Sequence, residues 1–184
     1  MDPAGTSFRS ADQHVVHVYD DPATLVRGVA SYLAVALLHG EAALVVATPE
    51  NRDALELALE ARGLPVDRLR RAGQYVDRDA ATTLEHLVHD GRLDPLAFDA
   101  LMSAEVADLA GRGGGLSVYG EMVALLWRSG LAATAVQLED RWNALAEQER
   151  FRLYCGYDSA AFDRLGSSTQ AARVLGAHSD VRCS

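Results

Sequence analysis

The chain has 184 residues, a formal net charge of −9 and a sequence pI near 5.0. We expect neither a nucleic-acid nor a membrane partner, because phosphate groups are met by clustered positive charge. No apolar run reaches the roughly 18 residues that a membrane-spanning helix needs. All 17 basic residues are arginine, which excludes lysine-based catalysis.

The length predicts a single domain. Residues 1–12 are small and polar, and we expect a disordered lead there rather than a signal peptide, followed by one α/β domain over residues 13–184. The two cysteines are too few for a disulfide framework, so a cytoplasmic location is expected.

The first part of the chain alternates strands with helices. His14–Tyr19 is β-branched and almost continuously apolar, which is typical of a strand covered on both faces. The segment 20–22, Asp-Asp-Pro, predicts the start of a helix that stops at Gly40. A strand over Ala42–Ala47 and a helix over residues 48–63 follow.

The middle of the chain predicts a short strand at residues 74–77 and a helix over 80–89 that closes at Gly91. The pair Asp94-Pro95 then begins a longer helix through Leu109. Residues 111–115 are glycine-rich and are predicted to form a flexible joint before the next strand.

The last part predicts a strand at 116–119, a short helix to Arg128, a helix over 132–148, a strand at 151–157 and a helix within 167–176. Strands that alternate with helices of this length predict βαβ units. The expected fold class is therefore α/β, with three layers: a mainly parallel sheet and helices on both of its faces.

Candidate binding residues follow the predicted strands, because ligands of open parallel sheets bind beyond the carboxyl ends of the strands. Three strands end in an aromatic ring beside a carboxylate: Tyr19 with Asp20, Tyr119 with Glu121, and Tyr157 with Asp158. Helix starts and ordinary strand ends produce the same pattern, so a pocket and a structural role both stay open.

The features of a phosphate-binding loop are missing from these strand ends. The first strand runs into Tyr-Asp-Asp-Pro, with neither a glycine-rich turn nor a lysine, and the glycine run at 113–115 precedes a strand instead of following one. We therefore expect no nucleotide cofactor.

Neither a metal site nor a catalytic residue is predicted. His14 and His17 are three residues apart and point to opposite faces of a strand. His17 could meet Cys155 across the sheet, but two ligands are too few for a structural zinc. Ser117 lacks the nucleophile-elbow motif, and Cys155 lies in an apolar strand where a thiol is usually inert.

Four blocks of sequence together resemble a known family. They are residues 14–20 (HVVHVYD), 118–122 (VYGEM) followed by Trp127, 138–145 (LEDRWNAL) and 153–158 (LYCGYD). In this order and spacing, from about residue 14 to 181, they resemble the methanogen/methylotroph, dichloromethane-repressor-type sensory (MEDS) domain. The resemblance implies a fold similar to RecA/KaiC ATPases that have lost the phosphate loop.

The resemblance also implies a non-catalytic sensor of simple hydrocarbon derivatives. Its signal would pass to a transcription-factor, histidine-kinase or anti-sigma-type protein partner, and a homodimer is left open. The alternatives are an interaction module with a vestigial pocket, using an apolar surface around Leu125, Leu126 and Trp127, and a degenerate nucleotide binder. Strand-end position and the matching blocks together give the expected ligand-binding residues: His17, Tyr19, Asp20, Tyr119, Glu121, Tyr157 and Asp158.

Overall fold

The structure is a computed structural model that describes residues 14–112, 114–160 and 180–183, the last four as backbone alone. The predicted lead at residues 1–12 and the helix predicted within 167–176 lie outside the described residues. No helix in the described ranges is long and apolar enough to cross a bilayer.

The centre of the molecule is a six-stranded sheet in which every neighbouring pair of strands is parallel. Its strands are β1 (His14–Tyr19), β2 (Ala42–Ala47), β3 (Tyr75–Asp79), β6 (Leu116–Gly120), β7 (Arg152–Asp158) and β8 (Asp180–Cys183). Two further strands, β4 (Val88–His89) and β5 (Arg92–Leu93), form a separate antiparallel hairpin. The order across the sheet is β3-β2-β6-β7-β1-β8.

Helices cover both faces of this sheet, and each face has its own apolar core. One face, here called the α1 face, carries α1 (Pro22–Leu38), α2 (Pro49–Glu60) and α3 (Val66–Arg71). The other, the α8 face, carries α4 (Ala80–Leu87), α5 (Pro95–Phe98), α6 (Ala104–Ala110), α7 (Met122–Arg128) and α8 (Ala132–Glu149). The predicted three-layer α/β class with a mainly parallel sheet is therefore confirmed.

Strand β2 shows why its segment of the sequence is apolar at every position. All six of its residues are buried, with Leu44 and Val46 in the core of the α8 face and Ala43 and Val45 in the core of the α1 face. A strand that is covered on both sides needs apolar residues at every position, and so it shows no alternation with polar ones.

Aspartates start three helices, two of them where the sequence predicts helix starts from Asp-Pro. Asp21 accepts a hydrogen bond from the backbone N–H of Ala23 at 3.0 Å, and Asp94 accepts one from Leu96 at 2.9 Å. Asp79 does the same for α4, accepting from the N–H of Thr82 at 2.8 Å. These side chains satisfy donors that have no partner within the helix.

The predicted helix over 80–89 is too long, because α4 ends at Leu87 and the chain turns through the β4–β5 hairpin. Asp90 and Gly91 have φ values of +50° and +73°, which suit a two-residue hairpin turn. The helix predicted from Asp94 to Leu109 is interrupted by a π-helical turn at Asp99–Ser103, which separates α5 from α6.

The interaction-module alternative expects an exposed apolar surface around α7, and this expectation is wrong. Leu126 and Trp127 are buried in the core of the α8 face, and Leu125 is partly buried against it. These side chains of α7 pack against the sheet and α8, so they form no exposed patch for a partner.

Candidate functional site

The carboxyl ends of the parallel strands meet at one edge of the sheet, here called the carboxyl edge. After β6 the chain enters α7 on the α8 face, whereas after β1 it enters α1 on the opposite face, and β7 lies between these two strands. The place where neighbouring connections leave toward opposite faces is called the switch point of the sheet. A crevice forms there, and ligands of open α/β sheets bind in it. The ends of β6, β7 and β1 are therefore the place to look for a site.

Tyr19 and Asp158 are neighbours at this place, because β1 and β7 pair them directly. Asp20, the next residue, accepts a hydrogen bond from the Ser159 hydroxyl. That bond ties the β1–α1 loop to the chain that leaves β7. Three of the predicted residues thus lie side by side at the carboxyl ends of two neighbouring strands.

The Tyr19 hydroxyl lies in a field of opposed charges. Burial raises its pKa, and the positive charge of Arg128 lowers it. The negative charges of the Glu121 and Asp158 carboxylates raise that pKa further. The tyrosine therefore keeps its proton and can donate a hydrogen bond at the edge.

Glu121 connects several elements that meet at the carboxyl edge. Its buried carboxylate accepts hydrogen bonds from the backbone N–H of Thr48 at 2.8 Å, from Nδ2 of Asn51 at 2.5 Å and from the Tyr119 hydroxyl at 2.5 Å. Thr48 begins α2, so the negative charge also lies at the positive end of a helix dipole. Glu121 joins β6, α2 and Tyr119, and its oxygens are already occupied by protein donors.

A row of aromatic rings runs from Glu121 beneath α1. The ring of Tyr119 contacts that of Tyr154 edge-on at 6.1 Å between centroids, and the Tyr154 hydroxyl is 2.8 Å from Nδ1 of His17. His17 in turn contacts the ring of Tyr19 at 6.2 Å. Four side chains on the α1 face, three of them predicted site residues, thus form one connected group that ends at the carboxyl edge.

Tyr157 is separated from this group by the sheet. Its buried hydroxyl points to the α8 face and donates to Oε2 of Glu139 at 3.0 Å. Burial raises the pKa of that hydroxyl, and the charge of Glu139 raises it further. The parity of β7 explains the placement: Tyr157 pairs with Val18, so it shares the side of Val18 and not that of Tyr19.

The contact that His17 could have made with Cys155 across the sheet does not form. His17 lies on the α1 face, whereas Cys155 belongs to the core of the α8 face, where its Sγ is 3.3 Å from Nε2 of His14. The two histidines do point to opposite faces, as their spacing predicts. Because of that alternation it is the other histidine that reaches the thiol.

Sequence reasoning missed several residues of the edge. Arg128 and Asn51 come from helices that are distant in sequence from the strand ends, and Ser159 follows a strand end that the sequence places one residue too early. Nothing in the sequence marks Arg128, because an arginine in the last turn of a helix is an ordinary helix ending.

The carboxyl edge is poorly suited to a phosphate group. Asp20, Asp21, Glu121 and Asp158 bring four carboxylates to the ends of β1, β6 and β7, while the positive charge that acts on Tyr19 is that of Arg128. The start of α1, where an anion would otherwise bind, is capped by the carboxylate of Asp21. The absence of a glycine-rich loop after β1 is consistent with this arrangement.

These features define an α/β domain whose switch point carries tyrosine and carboxylate groups in place of a phosphate-binding loop. Residues 13–178 match the family model of the MEthanogen/methylotroph, DcmR Sensory domain, or MEDS. The chain therefore belongs to the MEDS family of sensory domains, as its sequence blocks predict. A search of curated proteins gave no significant match.

Proposed function

We propose that this MEDS domain senses a small, uncharged molecule at the carboxyl edge and reports its presence to a regulatory protein. The observation that supports this most strongly is the meeting of Tyr19, Asp20 and Asp158 at the switch point of the sheet. Membership of a sensory family supports the same role. The domain acts by binding and carries out no reaction.

The chemistry of the edge favours a mostly apolar ligand with one polar group. Tyr19 is 5% exposed and its ring belongs to the core of the α1 face, so it presents only a small apolar surface at the edge. Its protonated hydroxyl and the partly exposed Asp158 carboxylate are the proposed donor and acceptor. Glu121 positions these groups and does not contact the ligand, because its side chain is 2% exposed and its carboxylate accepts three hydrogen bonds from the protein. A simple, uncharged hydrocarbon derivative with a hydroxyl group fits this combination.

A signal requires that the ligand favour one of two conformations. The Asp20–Ser159 hydrogen bond is well placed to change, since it joins the β1–α1 loop to the segment after β7 across the proposed site. A ligand that competes for Asp20 would release that segment. The partner that responds would be of the histidine-kinase, anti-sigma or transcription-factor type.

Thermal unfolding tests this proposal with a panel of one- to four-carbon alcohols and alkyl halides. A ligand at 100 times its dissociation constant adds about 2.7 kcal/mol to the free energy of unfolding, so binding raises the melting temperature. We expect Tyr19→Phe and Asp158→Asn to reduce the affinity about tenfold or more. Asp108→Asn, on an exposed part of α6, is the matched control. Equal stabilisation of the wild type and all three variants by the ligand would refute the site.

Calorimetry with ATP and Mg²⁺ separates this proposal from degenerate nucleotide binding. The excess of carboxylates at the edge predicts no heat of binding, because they repel a polyphosphate. Binding at micromolar concentration would favour the nucleotide alternative.

A further inference from the structure

A second polar cluster lies on the α8 face, at the opposite end of β1 from the carboxyl edge. His14 begins β1, Cys155 lies in β7, and Glu139 reaches them from α8. All three side chains are buried, with exposed fractions of 6%, 3% and 2% in that order. A thiol, an imidazole and a carboxylate are costly to bury together without a role that uses them.

The distances in this cluster match those between the ligands of a metal ion. Nε2 of His14 is 3.3 Å from Sγ of Cys155 and 3.5 Å from Oε1 of Glu139, and the three ligand atoms lie within 4.8 Å of one another. Zinc bonds of about 2.0–2.3 Å in tetrahedral geometry place neighbouring ligand atoms roughly 3.3–3.6 Å apart. The two distances from the histidine need almost no adjustment to accept an ion.

The surrounding side chains orient two of the ligands. Oδ1 of Asn143 is 2.6 Å from Nδ1 of His14, so the imidazole donates its Nδ1 proton there and directs the lone pair of Nε2 toward the cluster. The Tyr157 hydroxyl donates to Oε2 of Glu139 at 3.0 Å, which turns Oε1 toward His14. Metal-binding histidines and carboxylates are commonly fixed by such hydrogen bonds.

We propose that His14, Glu139 and Cys155 form a binding site for one divalent ion of the zinc type. Imidazole, thiolate and carboxylate together suit Zn²⁺, or Co²⁺ in its place, better than they suit Mg²⁺ or Ca²⁺, which prefer oxygen ligands alone. Binding transfers the Cys155 thiol proton to solvent and forms a metal–sulfur bond. Three protein ligands leave a fourth position for water or a small molecule.

The sequence could not indicate this site, because its three ligands are scattered. Glu139 and Cys155 are 16 residues apart, and His14 lies more than 120 residues before them. Only the parallel pairing of β1 with β7, together with the packing of α8 over both, brings the three together. The site is independent of the proposed ligand at the carboxyl edge, so either proposal can fail without the other.

Titration of the chelator-treated full chain with Co²⁺ tests this inference. We expect one equivalent to bind, with a thiolate-to-cobalt band in the near ultraviolet and the visible bands of a tetrahedral ion, and Zn²⁺ to displace it. Cys155→Ser should remove the thiolate band, while the matched control Cys183→Ser should retain it. Circular dichroism of each protein establishes that it is folded.

Two further variants leave the ligands in place. Asn143→Ala and Tyr157→Phe should weaken Zn²⁺ binding about 10- to 100-fold. A folded wild-type chain that binds no cobalt, or a thiolate band that persists in Cys155→Ser, would overturn the proposal. Unchanged Zn²⁺ affinity in both of these variants would also contradict the assigned geometry.

Discussion

The two faces of the sheet carry different polar chemistry, although both take it from β1 and β7. On the α1 face, His17 and Tyr154 join a row of hydroxyl and imidazole groups that ends at Glu121. On the α8 face, His14 and Cys155 meet Glu139 at distances that suit a metal ion. Strand alternation therefore sends two histidines, three residues apart, into separate environments.

The difference shows how one pair of strands can carry two separate polar groups, one on each face of the sheet. The α1 face group is built from hydrogen bonds and edge-on rings, which fix the positions of Tyr19 and Glu121 at the carboxyl edge. The α8 face cluster instead gathers groups that bind ions. The predictions below test the α1 face group and, as a comparison, the cap of α4 on the other face, from the largest expected effect to the smallest.

Glu121→Ala should have the largest effect on stability. It leaves three buried or half-buried donors without an acceptor: the Thr48 N–H, the Asn51 amide and the Tyr119 hydroxyl. We expect the free energy of unfolding to fall by about 3 kcal/mol or more, measured by urea denaturation. A loss below about 1 kcal/mol would show that Glu121 does not hold the edge together.

Gly28→Ala should disturb the aromatic row directly. A Cβ atom at this position would lie 2.8 Å from the Tyr154 hydroxyl and 3.3 Å from Nδ1 of His17. We expect a net loss of about 1–2 kcal/mol, despite the helix preference of alanine.

Tyr154→Phe in the same chain should recover part of that loss, because it removes the overlapping hydroxyl. Gly120→Ala is the control, since its Cβ would meet nothing within 4 Å. If the double variant Gly28→Ala/Tyr154→Phe is no more stable than Gly28→Ala, the close contact is not the cause of the loss.

The buried tyrosines should make the protein sensitive to alkali. Burial raises the pKa of the Tyr119 hydroxyl well above 10, and the charge of Glu121 raises it further. The unfolded chain releases this proton near pH 10 while the folded chain keeps it, so the stabilisation is complete below pH 10 and is lost as the pH rises.

At pH 11, keeping the Tyr119 proton lowers the free energy of unfolding by about 1.4 kcal/mol relative to its value below pH 10. We expect Tyr119→Phe to reduce the loss of stability between pH 9 and 11 by about that amount, followed by urea denaturation at each pH. A variant with the same alkaline slope as the wild type would show that Tyr119 ionises normally.

Asp79→Ala should have the smallest effect, because it alters a helix start at the end of β3 and neither polar group. The carboxylate accepts from the Thr82 N–H, which lowers its pKa. Loss of such a cap costs about 1 kcal/mol at neutral pH. The stabilisation exists above the ordinary pKa near 4 and disappears as the pH falls, so wild type and variant should converge in acid.

Local sequence patterns predicted the strands and helices, because these elements depend mainly on residues that are close together in the sequence. Continuous apolar character identified β1 and β2, and the Asp-Pro pairs identified the starts of α1 and α5. The β4–β5 hairpin was missed although Asp90-Gly91 is a typical hairpin turn, because the helical pattern before it was extended too far.

The site was predicted only in part, because strand parity is hidden when both faces of a strand are apolar. Tyr19 and Tyr119 share the α1 face, but Tyr157 lies on the other, and no pattern in residues 153–157 reveals this phase. The further likeness to RecA/KaiC ATPases, like the ligand and the partner, stays a prediction.

Native mass spectrometry of the full chain purified from its own host tests the central claim most directly. A sensor that binds at the carboxyl edge should retain one small organic molecule, visible as added mass, and the Asp158→Asn variant should lose it. A nucleotide mass on the wild-type chain, or equal retention by the variant, would contradict the account.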